Sequence, residues 1–509
     1  MLRGSRRNFM KTVCLGVVAA AVPGFLKGTA RGDNTSAGKP NIVLIYGDDV
    51  GAMDIGFSGG RACPTPNLDK LAGQGIIFTD AYSMAATCTP SRMSLITGQY
   101  PTRFGRFTVH GKIDPGDPAH MRLVPSPKQN RFSEDFPTFA GALKTVNYTT
   151  AIMGKWHISQ CKPENMGFDI NIGGSGIGNP GIGDRGYHSP YDFPPDLKQD
   201  QPGEYLTDRL TDEAIKFIVA NRVRSFLLYL PYYTIHTPLQ PREDLLAKAK
   251  ALIKERGNDF GYTPEMIGMV MALDENVGRL VDKIDDLGLG ENTLIIFTGD
   301  NGSYCTNAEK NAPLRNCKSS FYEGGVRVPM CARLTGRIKP GQISKTPVAQ
   351  IDYFPTFLAV SGAKAPAETK LDGVNLLPIM FEQKKVSERS LFWHFLIYKG
   401  WKPGVKGQNT NDNLMYAVTP GSSIRRGKWK LMEFFNTSNI ELYDLETDIS
   451  EKQNLAKENP EIASRLLAEL HAWQKATNAP IVTEKNPKFD AAALQAAIDE
   501  ANKNGGREK

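Results

Sequence analysis

Asn41-Ile42-Val43-Leu44-Ile45-Tyr46-Gly47-Asp48-Asp49 is an apolar run of strand length that ends abruptly in two adjacent acids. It has no polar face, so a strand here is buried on both sides, as in a parallel sheet. Three further runs repeat the pattern. Thr149 to Met153 leads into Lys155 and His157, Ser225 to Leu230 leads into His236, and Thr293 to Thr298 leads into Asp300 and Asn301. Any one run alone could be a turn of buried helix. Four of them, each followed by titratable or amide side chains, predict one common site. The C-terminal ends of parallel strands share a sheet edge, and open α/β sheets hold their ligands there.

Between these runs the periodicity becomes helical. Ser133–Val146, with Ser133 as N-cap, Thr207–Ala220 and Pro264–Leu287 read as helices. Strands alternating with helices predict an α/β domain over residues 40–375. Residues 161–204 are instead rich in Gly, Pro and Asp. A loop of that length predicts a substrate rim, with disorder as the alternative. After Asp372 the pattern shifts. Leu391–Phe395, Ser423–Phe435 and Ile440–Leu445 read as antiparallel strands and Pro460–Lys475 as one helix, a smaller α+β subdomain over 385–485. Residues 486–509 form a charged tail that is expected to be mobile.

Adjacent unpaired acids such as Asp48 and Asp49 repel each other, and a hard cation relieves that repulsion through oxygen ligands. Asp300 and Asn301 supply two more oxygen side chains. Three carboxylates and an amide suit Ca²⁺, or Mg²⁺, better than Zn²⁺. Either pair alone would be read as a turn former. Cys88 stands just ahead of Pro90, which is suited to the first turn of a helix, and Arg92 follows one turn later. A helix N-terminus and a guanidinium both favour a tetrahedral oxyanion. A plain thiol there is a weak nucleophile.

Cys88-Thr-Pro-Ser-Arg-Met-Ser-Leu-Ile-Thr-Gly98 resembles the signature of the type I, formylglycine-dependent sulfatases. The resemblance runs from Asn41 to about Leu455. It takes in Gly154-Lys-Trp-His157, Gly299-Asp-Asn-Gly302, Lys318 with Glu323-Gly-Gly-Val-Arg-Val-Pro329, and Glu441-Leu-Tyr-Asp-Leu445. Gln99 departs from it, since the family often has Arg there. The resemblance implies an α/β sandwich like alkaline phosphatase, with a large mixed, mostly parallel sheet between helices and a short antiparallel sheet near the C-terminus. It implies that Cys88 is oxidised by a formylglycine-generating enzyme and hydrated to a gem-diol, one hydroxyl of which attacks sulfur. Asp48, Asp49, Asp300 and Asn301 would hold the metal, which also binds the diol at position 88. Arg92, Lys155 and Lys318 would neutralise the sulfuryl oxygens, and Asp300 would take the attacking proton. His236 would protonate the departing alcohol. His157 would deprotonate the second hydroxyl, expelling sulfate. Trp156 is expected to be a packing residue and Arg327 a support for the Lys318 loop, while His110 is a weaker candidate for substrate contact.

Residues 1–31 read as a signal peptide. The pair Arg6-Arg7 and the apolar stretch Thr12 to Leu26 point to twin-arginine export, and hence to a periplasmic or secreted protein. An uncleaved N-terminal helix is the alternative. This segment holds six basic groups and no acid, so removing it takes the formal charge from +7 to +1. The charge therefore gives no reason to expect nucleic-acid binding, and no later run is long enough to span a membrane. Cys305 and Cys317 could pair in an oxidising compartment. Cys63, Cys161 and Cys331 read as buried thiols.

The expected substrate is a sulfated carbohydrate or an aryl sulfate. The rival readings are a phosphonate or phosphate ester hydrolase of the same fold and an inactive protein that binds sulfated glycans. Steady-state rates on paired aryl sulfate and aryl phosphate substrates separate the two hydrolases: sulfate is expected to be preferred, and a clear preference for phosphate would overturn the sulfatase reading.

Overall fold

The computed structural model describes residues 39–505 apart from 110–115, 126–131, 159–160, 182–185, 192–196, 198–200, 259–260, 306–307, 385 and 401–415. Residues 1–31, read above as a signal peptide, and His110 therefore lie outside the described residues. All four apolar runs become neighbours in one sheet. Its strands, from one edge to the other, are Ile170–Ile172, Thr149–Met153, Phe226–Pro231, Asn41–Gly47, Thr293–Gly299, Met330–Arg333, Ile76–Phe78 and Gln342–Ser344. The first five pair in parallel, and Met330–Arg333 runs antiparallel to both of its neighbours.

Both faces of the central strand are covered. Ile42, Leu44 and Tyr46 face a core completed by the helices Cys88–Thr97, Phe139–Lys144 and Tyr353–Ser361. Val43 and Ile45 face the opposite core, built on the helices Leu206–Asn221, Glu243–Arg256 and Pro264–Asp286. Strand side chains alternate with period two, so an unbroken apolar run fills both cores at once. Among the described residues, no helix is long and apolar enough to cross a membrane.

Several boundaries differ from expectation. The helix expected from Ser133 begins at Phe139 with Thr138 as its N-cap, whose hydroxyl accepts from Gly141 N at 3.0 Å. Pro137 disfavours helical backbone at Phe136, so no helix can run through from Ser133. Ser423–Phe435 is not one strand but a hairpin, Gly421–Arg426 and Trp429–Phe434, closed by Gly427-Lys428 with Gly427 at φ 57°. Glycine adopts that backbone readily, which is why two residues suffice for the turn. The described part of the tail carries a helix and contacts with the segment 118–121. Asn486 donates to the carbonyls of Pro118 and Met121, and Asp490 receives the first amides of a helix, Ala491–Gly505.

The antiparallel sheet (Ser390–Phe395, Gly421–Arg426, Trp429–Phe434, Asn439–Asp444) packs against the helix Pro460–Ala476 through Leu466, Leu470 and Trp473. A charged seam joins this sheet to the segment behind Lys318. Lys430 Nζ lies 2.8 Å from Glu323 and 2.9 Å from Glu451, all with fully enclosed side chains. Arg425 pairs with Asp80, which Arg327 also reaches. Burial lifts Glu451 to about 7 against the pull of Lys430. Lys430→Met leaves two buried carboxylates without their shared cation, a loss of about 3–5 kcal/mol. Calorimetry should show a clear fall in the unfolding midpoint, recovered in part by adding Glu451→Gln; an unchanged midpoint would show that the seam contributes nothing.

Candidate active site

The site forms where the four central strands end. Asp48 and Asp49 follow Gly47, and Asp49 sits at φ 60°, a turn that aims the two carboxylates together. The amide of Asp48 donates to Thr234 O at 2.9 Å, and Ile235 N donates back to Asp48 O at 2.7 Å. This ties the loop carrying His236 to the loop carrying the two acids. Asp300 and Asn301 follow the strand Thr293–Gly299, and Asp300 Oδ1 accepts from Asp49 N at 3.0 Å. Cys88 is the first residue of its helix, after an extended Thr87. Lys318 follows the disulfide Cys305–Cys317, and its amide donates to Ser303 O at 3.0 Å.

The side chains converge on Cys88. Its Sγ lies 3.6 Å from Asp48 Oδ1, 3.8 Å from Asp49 Oδ1 and 3.2 Å from Lys318 Nζ. Lys318 also donates to Asp49, and Lys155 donates to Asp48 Oδ2 at 2.6 Å. Arg92, expected on the sulfuryl oxygens, spends its donors on Asp300 Oδ2, at 3.0 and 2.8 Å, and on Lys155 O at 2.6 Å. Its positive charge thus stands behind the carboxylates. His236 Nδ1 hydrogen-bonds Thr237 O at 2.8 Å, and its Nε2 is 3.9 Å from Asp49. His157, at φ 55°, donates its amide to Ser175 O. Gly178 presses on its ring: a Cβ there would lie 2.3 Å from Nε2. The described part of 161–204 therefore supplies an edge strand and a wall against His157. Trp156 packs on Phe168, and Arg327 anchors Glu323 and Tyr82.

Burial and charge set the protonation pattern. Burial pushes the Cys88 thiol up to about 12, and Lys155 and Lys318 do not offset it. Burial and Asp48 raise Asp300 to about 6 against the pull of Arg92. Asp49 is held well below the usual carboxylate range, because Lys318 and then His236 outweigh its burial. Burial and then Lys155 lower both histidines, His236 to about 3 and His157 well below its ordinary value.

The donors suit a metal ion. One atom each from Asp48, Asp49, Asp300 and Cys88 lies within 4.8 Å of the others, and Asn301 Oδ1 is buried without a hydrogen-bond partner. An oxygen-rich set with an orphaned amide oxygen fits a hard divalent cation.

Sequence reading missed Gln350. Its Oε1 accepts from Ser91 Oγ at 2.5 Å, and its Nε2 donates to Tyr46 Oη at 2.6 Å and to Gly299 O at 2.9 Å. One fully buried amide thus joins the Cys88 helix to two site strands, although it follows neither a motif nor a charge pattern that would reveal it. The end of the Cys88 helix is secured without an arginine at position 99. Arg103 and the amide of Tyr100 both bind Asp372.

The family described as Sulfatase matches residues 40–363, and the C-terminal family of N-sulphoglucosamine sulphohydrolase matches residues 317–476. A sulfatase of Formosa agariphila is 29% identical, over 95% of this chain and 98% of its own length. The N-acetylgalactosamine-6-sulfatase of Rattus norvegicus is 31% identical, over 70% of this chain and 68% of its own. The crystal structure of Ps i-CgsB in complex with k-i-k-neocarrahexaose superposes with a TM-score of 0.68 at 28% identity, covering 91% of this chain and 98% of that one. The matched span contains every strand end that builds the site, so the chain belongs to the sulfatase family and is a sulfuric ester hydrolase.

Proposed function

We propose that this protein removes sulfate from a sulfated carbohydrate, with Cys88 matured to formylglycine. The observation that carries this reading is the contrast at position 88. The side chain stands at the centre of three carboxylates and two lysines, yet its thiol is pushed up to about 12. A protonated thiol there is unreactive, whereas an aldehyde hydrate at the same place offers two hydroxyls. Asp48, Asp49, Asp300 and Asn301 are the residues that would hold the cation, Ca²⁺ by the hardness of the donors, with Mg²⁺ fitting the same set. When bound, it supplies Lewis acidity at the nucleophile and the ester oxygens.

The chain's own residues do the rest. Lys318 and Lys155 present positive charge beside Cys88, with Arg92 behind them, where charge builds on the sulfuryl oxygens. Asp300, whose carboxylate lies beside the position-88 side chain, would take the attacking proton. His157, held neutral by burial and Lys155, is in the form a base requires for the second hydroxyl. His236 keeps Nε2 free through its Nδ1–Thr237 bond, and an anionic ester beside it favours the protonated form that donates to the leaving alcohol. The carbohydrate is supported by the names of the relatives, an N-acetylgalactosamine-6-sulfatase and a structure holding a neocarrahexaose. The leader read in residues 1–31 accords with cytoplasmic maturation followed by twin-arginine export to the periplasm or beyond.

Two measurements test the reading. Mass spectrometry of the Cys88 peptide, from protein made with and without the maturing enzyme, should show activity rising with the converted fraction. Equal activity from the thiol form would overturn the mechanism. Loss of a general acid costs about 10²–10⁴ in rate where the leaving group is poor. His236→Ala should therefore lose far more activity on an alkyl sulfate than on nitrophenyl sulfate, and equal losses on both would remove His236 from that role.

A further inference from the structure

The four oxygen ligands stand on two loops with no covalent link between them. Asp48 and Asp49 precede Gly51 and Asp54; Asp300 and Asn301 precede Ser303 and Tyr304. Lys310, on the short helix Ala308–Asn311, bridges these loops from a fully enclosed position. Its Nζ donates to Ser303 Oγ and, at 2.6 Å, to Tyr304 O, and lies 3.3 Å from Asp54 Oδ1. Asp54 in turn accepts from Gly51 N at 2.8 Å and from Tyr262 Oη at 2.7 Å. The Tyr262 ring also faces Lys310, with its centroid 4.8 Å from Nζ.

The loops meet closely at this bridge. A Cβ on Gly51 would lie 2.5 Å from Ser303 N, so only glycine permits the approach. The carbonyl of Ser303 receives the amide of Lys318, so the bridge also reaches the lysine beside Cys88. Of these groups Lys318 alone is placed beside Cys88 by the contacts above, and the proposed chemistry leaves Lys310 without a role.

We infer that Lys310 is a positioning residue of the metal site. With Asp54 and Ser303 it sets the distance between the two ligand loops, holding the carboxylates convergent before a cation arrives. Mutual repulsion of Asp48, Asp49 and Asp300 tends to part the loops, and a preformed site avoids the cost of gathering them on binding. This inference rests on the reading that Asp48, Asp49, Asp300 and Asn301 bind a divalent cation.

The test is calorimetric titration of calcium into the full chain after chelator treatment, with thermal unfolding measured alongside. Lys310→Met should weaken calcium binding by about tenfold or more, and Ser303→Ala, which removes a single hydroxyl, by a few-fold, as expected when preorganisation is lost. The activity lost in either variant should return as calcium is raised. Calcium affinity within twofold of wild type in both variants, with only the unfolding temperature lowered, would make Lys310 purely structural and overturn the inference. Should Lys310→Met fail to fold, Ser303→Ala and Asp54→Asn decide by the same criterion. A wild-type chain that takes up no calcium would overturn the metal reading itself, and the inference with it.

Discussion

Three buried carboxylates facing one another are the constraint on which the site depends. Two unit charges about 4 Å apart in a protein-like medium repel by about 4 kcal/mol. Asp48, Asp49 and Asp300 are tolerated because Lys155, Lys318 and Arg92 match them one for one. The balance brings the site to neutrality before any ion binds. A divalent cation would then leave a net positive site, suited to an anionic ester. In the proposed mechanism Lys155 and Lys318 face the charge that grows during sulfuryl transfer, while Arg92 braces Asp300 from behind.

Keeping such a cluster together requires support from beyond it. Gln350 ties the Cys88 helix to the strands that carry Asp48 and Asp300. Lys310 and Asp54 hold the two acidic loops against each other. The seam of Lys430, Glu323 and Glu451 anchors the segment behind Lys318 to the C-terminal sheet. Each device is polar and buried, and removing one partner would strand the others.

Much of this was legible in the chain. Four apolar runs ending in charge predicted one sheet edge, and the pairing of Ile42 with Leu227 and Leu294 realises it. Cys88 to Arg92 predicted a helix start, and the helix begins at Cys88. Local signals misled where a neighbour changed their meaning. Ser133 has a capping side chain, but Pro137 blocks the helix behind it. Ser423–Phe435 alternates like one strand, but Gly427 turns it. The charged tail carries no strong apolar pattern, so its contacts with residues 118–123 could not be read from the chain.

The sequence by itself determined the α/β class, the cluster of acids, amide, lysine and histidines at the strand ends, and the oxygen-rich character of the candidate metal ligands. These depend on side-chain chemistry and on periodicity over a few residues, which need no knowledge of distant partners. Only the tertiary structure decided that Arg92 braces Asp300, that Gly178 walls in His157, and that Gln350 and Lys310 matter at all. A buried amide or lysine acquires its meaning from groups that are remote in sequence, Ser91 with Gln350 and Asp54 with Lys310. No spacing rule records such a contact, because folding alone brings its two ends together.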